Sequence, residues 1–398
     1  ALPLQTPEAP LVQSATPEDP ELSQEQRIAT HMGAVFADQP GTVLDITPDS
    51  MTVKLADGTK KDIELYNNFV LNQKTAIHNT PMVKPGDKFQ PGQLLAKSNY
   101  TDDSGTTALG ANFRVAFMPF KGNYEDGIVI SESAAKRLAS EHMYQIKEPL
   151  DEEGVEVDKK GYISRYPSKF SRAQLSNIDD NGVVKPGTVL TQGDPIMLRV
   201  KQRTPEKGKA LLRQQRSWWN EDAEIWDAEY PGMVTDVSTG RGGIKVAVKS
   251  YQAMKKADKL SGRFGNKGVI GSDPVPDDQM PTDSQGRPFE VIVNPLGLIS
   301  RTNPSQVIET ALAKVARKTG KAYKLPAYTD YDMVDYALEE LRKNNIPELE
   351  TVYNPGSNSY IPNIFGGEMF FMKLHHTAES KTSGRDIGTY SMDMTPAK

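Results

Sequence analysis

"KADKLSGRFGNKGVIG", residues 256–271, places four glycines and five cationic or amide-bearing side chains within sixteen positions. Lys256, Lys259, Arg263, Asn266 and Lys267 all lie beside backbone that glycine opens to close approach. The grammar of a nucleotide-hydrolysing loop is missing. A P-loop needs G-x-x-x-x-G-K-[ST] running into a helix, whose amides cradle phosphates while the hydroxyl holds magnesium. Here Lys267 is followed by Gly268 and the strand-like Val269-Ile270, and the spacing G-x-G-x-x-G is absent as well. What remains is a polar hairpin whose long cations can point one way. Lys259 and Lys267 are eight positions apart, so they share a face wherever the stretch is regular strand. A glycine-rich turn with solvated lysines is the plainer alternative, and the stretch alone leaves both open.

The chain of 398 residues is long enough for two or three domains. Its 47 basic and 52 acidic residues leave a formal charge of −5, which excludes a global polycation. The charge is uneven, however: between Arg199 and Lys324 there are 22 Lys and Arg against 14 Asp and Glu. A basic central third in an acidic frame suits a polyanion-binding face, with a solvated charged surface as the alternative. The absence of cysteine rules out disulfides, thiolate metal sites and cysteine nucleophiles. No apolar run approaches the roughly 18 residues of a bilayer span, and no signal peptide is visible. No membrane partner is therefore expected. The first residue is Ala1 rather than Met, which points to a processed chain or a piece of a longer one.

Along the chain, the first 20 residues hold five prolines and should lie extended over another surface. From Met32 the pattern alternates as short strands, with Asp57-Gly58 as a hairpin signal. An internal echo follows. "VKPGDKFQPGQLL" from Val83 and "VKPGTVLTQGDPI" from Val184 share Val-Lys-Pro-Gly and a second glycine six residues later. Each reads as turn, short strand and turn, as in barrel-sandwich folds. Neither copy carries the hairpin-tip lysine that a biotinyl or lipoyl carrier needs. Helices are expected over 131–140, 303–320, 330–345 and near 208–229, and the chain is mainly β with peripheral helices.

Two further constellations carry chemistry. In "VAFMPFKGNYEDGIVISES" (115–133), Glu125 and Asp126 sit at a loop mouth before a buried-looking strand, where paired carboxylates suit a divalent metal or a basic partner. Turn decoration is the plain alternative. In "NPLGLISRTNPSQVIET" (294–310), Arg301 and Asn303 precede a helix, a setting that favours an anion.

Taken together and in order, these segments resemble the β subunit of multisubunit, DNA-dependent RNA polymerase of the bacterial type. The matching segments are "PEAPLV" (7–12), "VKPGDKFQPGQLLA" (83–96), "ALGANFRVAFMPFKGNYEDGIVISE" (108–132), "DKLSGRFGNKGVI" (258–270), "MP" (280–281), "VNPLGLISRTNPSQVIET" (293–310) and "MKLHHTAESKTSGRDIGTYS" (372–391). The resemblance implies a double-psi β-barrel interrupted by a flap domain, with a barrel-sandwich-like insert. By that likeness residues 1–31 form an extended connector, 32–106 the insert, 107–145 and 245–376 the two parts of the barrel, and 146–244 the flap. Residues 377–398 would lead toward the clamp.

The resemblance also implies roles. The catalytic Mg2+ would be held by an aspartate triad on a β′ partner, and no such triad is present in this sequence. Lys259 and Lys267 would contact the RNA 3′ end or the initiating phosphates, and Arg301 the incoming triphosphate. Asp126, with Glu125 beside it, would lie near the second Mg2+. Arg263, Asn266, His376 and Lys381 would contact nucleotide or RNA. The implied partners are β′, other β pieces if the subunit is split, a σ-type initiation factor at the flap, DNA template, RNA transcript and nucleoside triphosphates, in a bacterial cytoplasm. The sequence departs from the family pattern at Ala257 and Phe264, where the family has glycine and histidine, and at "HHTAESK" (375–381). A split or processed bacteriophage subunit, or a shortened chain, would explain the divergence and the ends. A non-catalytic β-like module that binds nucleic acid or polymerase is the alternative function.

Trp218, Trp219 and Trp226 fall within nine residues of the expected flap. On a helix, Trp219 and Trp226 would share a face with Leu212. They either anchor the flap's own core or form an aromatic patch that docks a partner.

Overall fold

The computed structural model describes residues 1–149, 154–202, 219–326, 329–382, 390 and 392–395. The chain divides into two compact units: 1–32, 100–138 and 253–398 form one, and 33–99 with 139–252 the other. Each is continuous in space and interrupted in sequence.

The first unit is built on six strands, labelled in chain order: β1 (Ala111–Phe117), β2 (Gly127–Ile130), β3 (Lys259–Ser261), β4 (Lys267–Ile270), β5 (Val291–Val293) and β6 (Ser359–Lys373). Around the sheet the order is β1-β5-β2-β4-β3-β6, and β6 pairs back to β1, so the sheet closes into a barrel. The β1–β5 and β2–β4 pairs are parallel and the other four antiparallel. Leu349–Asn354 adds a hairpin strand to the early part of β6.

Most of these strands are apolar on both faces, as a sheet covered on both sides requires. Phe113, Val115 and Phe117 of β1 join Ile128, Ile130, Leu260, Val291 and Phe371 in one core. The alternate residues Ala116, Val129 and Ile292 join Met118, Phe289 and Val352 in another. The period of two that sends neighbours to opposite faces thus builds two cores from the same strands.

Three helices matter for the site. The first, α1 (Glu132–Arg137), starts where Ser131 accepts from the Ala134 amide, and packs Ala134 and Ala135 into the first core. Next, α2 (Pro295–Ser300) is capped by Asn294. The longest, α3 (Pro304–Thr319), begins on proline, ends on Gly320 in the left-handed conformation and buries Leu312 and Val315. Gly367 of β6 allows α3 to cross closely, since a Cβ there would lie 2.6 Å from the Thr310 carbonyl oxygen. A further helix, Met333–Lys343, packs Ala337 and Leu341 against α3. The proline-rich start lies in this unit, with Leu2 and Leu4 buried and Val12–Ser14 running parallel to Tyr323–Leu325.

In the second unit the echo is a structural repeat. Gly86 and Gly187 have φ of +93° and +80°, and Gly92 and Gly193 have φ of +78° and +91°. Short strands Lys88–Phe89 and Val189–Leu190 lie between these turns, and Leu94–Ser98 and Pro195–Met197 follow them. The hydrogen bonds repeat too: Gly86 donates to Val43 O and Gly187 to Val234 O, both at 2.8 Å. The unit's other main element is an antiparallel sheet in which Ser140–Glu148 and Gly232–Gly240 flank Gly243–Gln252.

The helix expected near 208–229 is not what forms over its described part. Trp219–Glu221 and Glu224–Ile225 are strands, paired with Arg199–Gln202 and Pro195–Met197. Ladder partners distant in sequence override a seven-residue spacing that only mimics helical periodicity. Trp226 is 2% exposed, meets the Tyr144 ring edge-on at 5.0 Å and donates its indole N–H to Tyr230 O at 2.9 Å. Trp219 is half-buried against the same core. Both rings therefore anchor the unit's own interior, while Trp218 and Leu212 lie outside the described residues.

Candidate functional site

The stretch 259–270 is a hairpin, and Lys259 and Lys267 stand on its two different strands. Lys259 faces Val269 and Ser261 faces Lys267 across the β3–β4 ladder. Paired residues of an antiparallel ladder share a face, so both lysines stand on one side while Leu260 and Gly268 are buried on the other. The expected common face is real, and it arises from hairpin register rather than from one continuous strand. Gly268 is required by packing: a Cβ there would meet Ile128 Cδ1 at 2.5 Å and Asp126 O at 2.6 Å.

That contact brings the hairpin against the carboxylate loop. The Val269 amide donates to Asp126 O at 3.0 Å, and Asn294 at the start of α2 donates its side-chain amide to Glu125 O at 3.3 Å. Glu125 itself has φ of +50°, a strained turn for a residue other than glycine. Arg301, at the end of α2, forms an ion pair with Asp126. A small pocket results, in which Glu125, Asp126, Asn266, Lys267 and Arg301 come together, with Asn294 and Gln306 also in the lining. Asn294 received no role from the sequence; an asparagine before Pro-x-Gly is a capping signal, and the same side chain also holds the acidic loop.

Beside the hairpin lies a patch of cations. The rings of His375 and His376 are 4.0 Å apart between centroids. The His376 imidazole is held below its usual range, first by His375, then by desolvation and by the charges of Lys259, Lys381 and Lys267. Lys259, Lys267 and Lys381 thus all act electrostatically on His376. That shift favours the neutral imidazole, which can accept as well as donate a hydrogen bond.

Arg263 faces elsewhere. Its guanidinium donates to Glu309 at 2.7 Å, to Val12 O at 2.8 Å and to Glu25 at 3.3 Å. Glu309 is 3% exposed, and burial raises its pKa despite the opposing arginine charge. Arg263 therefore ties the hairpin turn to α3 and to the amino-terminal segment. Asn266 shapes the same turn, accepting from the Phe264 amide at 3.3 Å, while the Phe264 carbonyl accepts from the Asn303 side chain at 2.9 Å. Asn303 occupies the cap position of α3 but makes no side-chain capping bond there, and its side-chain N–H donates to Phe264 O instead.

Among the described residues there is no group of three or more His, Asp or Glu side chains arranged to hold a metal ion. Glu125 and Asp126 can offer carboxylate oxygens to a cation bound mainly by other groups, with Asp126 already paired to Arg301. Nor is any helix among the described residues long and apolar enough to cross a membrane.

Residues 37–395 match the family described as RNA polymerase Rpb2, domain 6. The chain is similar to the DNA-directed RNA polymerase subunit beta of Clostridioides difficile (strain 630), 30% identical over 418 residues that cover 98% of this chain and 33% of the relative. Against the protein of the same description from Rubrobacter xylanophilus, identity is 32% over 434 residues, covering 98% of this chain and 37% of the relative. The chain spans about a third of the length of the curated relatives it matches.

Proposed function

The chain belongs to the RNA polymerase Rpb2, domain 6, family, and from that premise we propose that it is the barrel-bearing part of a DNA-directed RNA polymerase β subunit. It would act in template-directed nucleotidyl transfer only within a multisubunit enzyme. The observation that carries this proposal is the pocket where Glu125, Asp126, Asn266, Lys267 and Arg301 meet beside Lys259, His376 and Lys381. Phosphoryl transfer offers a protein little covalent work, so positioning and charge neutralisation dominate.

In this proposal Lys259 and Lys267 neutralise phosphates at the RNA 3′ end, with His376 and Lys381 on the product side and Asn266 shaping the turn between them. Arg301 takes the triphosphate of the incoming nucleotide, exchanging Asp126 for it. A fork-shaped guanidinium suits that exchange, since carboxylate and phosphate oxygens present similar geometry. Glu125 and Asp126 fit an outer contact to a second Mg2+ but not a full shell, so the main ligands would come from the β′ partner. When bound, Mg2+ supplies charge neutralisation at the leaving pyrophosphate.

We read the closed ring as a double-psi β-barrel, a reading supported by its six strands and two parallel pairs. Residues 107–145 and 245–376 would supply it, 32–106 the insert, and 146–244 a flap facing a σ-type factor and the exiting RNA. Residues 1–31 would be the connector and 377–398 the lead toward the clamp. Further partners are the template, the transcript, nucleoside triphosphates and, if the subunit is split, another β piece, all in a bacterial cytoplasm. A bacteriophage origin fits the departures at Ala257 and Phe264. The burial of Trp226 favours its role within the flap core over docking.

The test is RNA extension by the assembled enzyme carrying Lys267→Ala. Loss of one positioned cation is expected to cost about 2–4 kcal/mol in transition-state stabilisation, roughly 30- to 1,000-fold in rate. Subunit assembly should be unchanged. A wild-type extension rate in the variant overturns the assigned role.

A further inference from the structure

Beneath the cationic face lies a buried ion pair that the proposed function does not use. Lys373, the last residue of β6, is 1% exposed, and its ammonium stands 3.7 Å from the Asp258 carboxylate, which is 5% exposed. The ammonium also donates to Ala253 O at 3.2 Å. A buried pair of this kind is weak evidence for stability, because desolvation offsets the attraction and apolar replacements often serve as well. Its presence under a functional face therefore asks for another reason.

Asp258 supplies one through its remaining bonds. One carboxylate oxygen accepts from the Ala378 amide at 2.8 Å and the other from the Lys255 amide at 3.0 Å. Its backbone carbonyl accepts from the Ile270 amide at 3.0 Å. One residue thus fastens the loop before β3, the end of β4, the end of β6 and the short helix Ala378–Lys381. Next to it the Lys259 amide donates to His376 O at 3.2 Å, and the Leu374 amide to Lys259 O at 3.0 Å. These same segments carry Lys259, Lys267, His376 and Lys381.

We propose that Asp258 and Lys373 are positioning residues: their charged, buried pair locks four segments into one cationic face, and the RNA end requires that locked face. The proposal rests on the reading that this face engages the RNA end. Lys373 is also open to titration. Burial pushes the Lys373 ammonium down to about 8, Asp258 and Glu379 oppose that shift, and Lys255 adds to it. The other elements packed here present Leu260 of β3 and the Leu2 amide, which donates to Lys373 O. Raising the pH through that value leaves a neutral amine beside the carboxylate and slackens its hold on Asp258. Folding stability moves the opposite way. An unfolded lysine titrates higher, so above about pH 8 the unfolded chain binds more protons and stability from this group rises with pH. Rate and stability therefore diverge as pH rises, which a merely structural pair does not produce.

The experiment measures single-nucleotide extension of a preformed RNA–DNA scaffold by the assembled polymerase, with melting temperatures alongside. At about pH 7, Lys373→Met is expected to extend roughly tenfold more slowly with the nucleotide KM unchanged, as a small misplacement of the face requires. The ratio of wild-type to variant rate should narrow to within about twofold near pH 9.5, as expected if the wild-type lysine has lost its proton. Taking the ratio cancels pH effects common to both enzymes. The double variant Asp258→Asn/Lys373→Met removes both charges and one of the two carboxylate acceptors, should still extend slowly, and carries the same comparison if the single variant fails to assemble. Lys259→Ala tests the underlying reading: if it is harmless, the face is not part of the chemistry and both proposals fall. If Lys259→Ala is slow while the Lys373→Met ratio is one, or is equal at both pH values, the positioning role alone is overturned.

Discussion

Two parts of this chain are rich in glycine and lysine, and they use them for opposite ends. In the paired Val-Lys-Pro-Gly segments, Gly86, Gly92, Gly187 and Gly193 all take positive φ, and a Cβ on any of them would meet nothing within 4 Å. Those glycines are there for backbone conformation. In the hairpin at 256–271 the balance reverses: Gly262, Gly268 and Gly271 sit where a Cβ would come within 2.6, 2.5 and 2.0 Å of its neighbours, and only Gly265 has a positive φ. Those are there for close approach. Turn glycines make a module that can be used twice, with its amides spent on neighbouring carbonyls. Packing glycines draw separate segments together until their charged side chains share a pocket.

The sharpest break of this contrast is Arg263→Ala. It leaves Glu309 buried and unpaired, which should cost about 3–5 kcal/mol, measured by chemical denaturation of the chain. Lys267→Ala, four residues away in the same hairpin, should leave stability within about 0.5 kcal/mol while crippling extension, because Lys267 is exposed. Gly268→Ala comes next. Its new methyl must displace Ile128 and the Asp126 carbonyl, an overpacking cost of about 1–3 kcal/mol, and extension should fall with it as Asp126 moves. Gly187→Ala has open space and pays only for its left-handed backbone, about 1–2 kcal/mol, with extension per folded molecule unchanged. An equal loss of extension per folded molecule in Gly268→Ala and Gly187→Ala would erase the distinction between the two kinds of glycine. The smallest effect runs the other way: Ala257 has φ of +70°, and Ala257→Gly should stabilise the chain by about 0.5–1 kcal/mol.

What the sequence made legible was mostly local. The Asp57-Gly58 turn joins Ser50–Leu55 to Lys60–Glu64, Ser131 caps its helix, and Gly320 ends α3, because each signal acts over a few residues. The echo was legible as well, since both copies solve the same turn problem with the same residues. Arg263 was not, because its acceptors Glu25 and Glu309 lie 238 and 46 residues away. The tryptophans misled for a related reason: strands at 195–202 fix Trp219 and its neighbours, and no helical periodicity can report that. Of the pocket, the cations and carboxylates were readable as types, while the link that joins them, Gly268 against Asp126 O, depends on the parallel β2–β4 register. Lys373 left one faint signal, a lone charge inside the apolar run "MFFMKL" (369–374).

The barrel's closure also sets a schedule for the ribosome. β1 pairs with β6 in a register that joins Ala111 to Phe371, so the first strand made waits for the last across roughly 260 residues of intervening chain. At about 5–20 residues per second that wait is on the order of 13–50 seconds. Through it the Phe113, Val115 and Phe117 side chains lack their final neighbours, and the edge of β1 stays open to pairing with any other strand. By contrast, the hairpins at 41–64 can form within moments of synthesis. The nascent barrel is thus the stage at which apolar side chains and an open strand edge stay unpartnered longest.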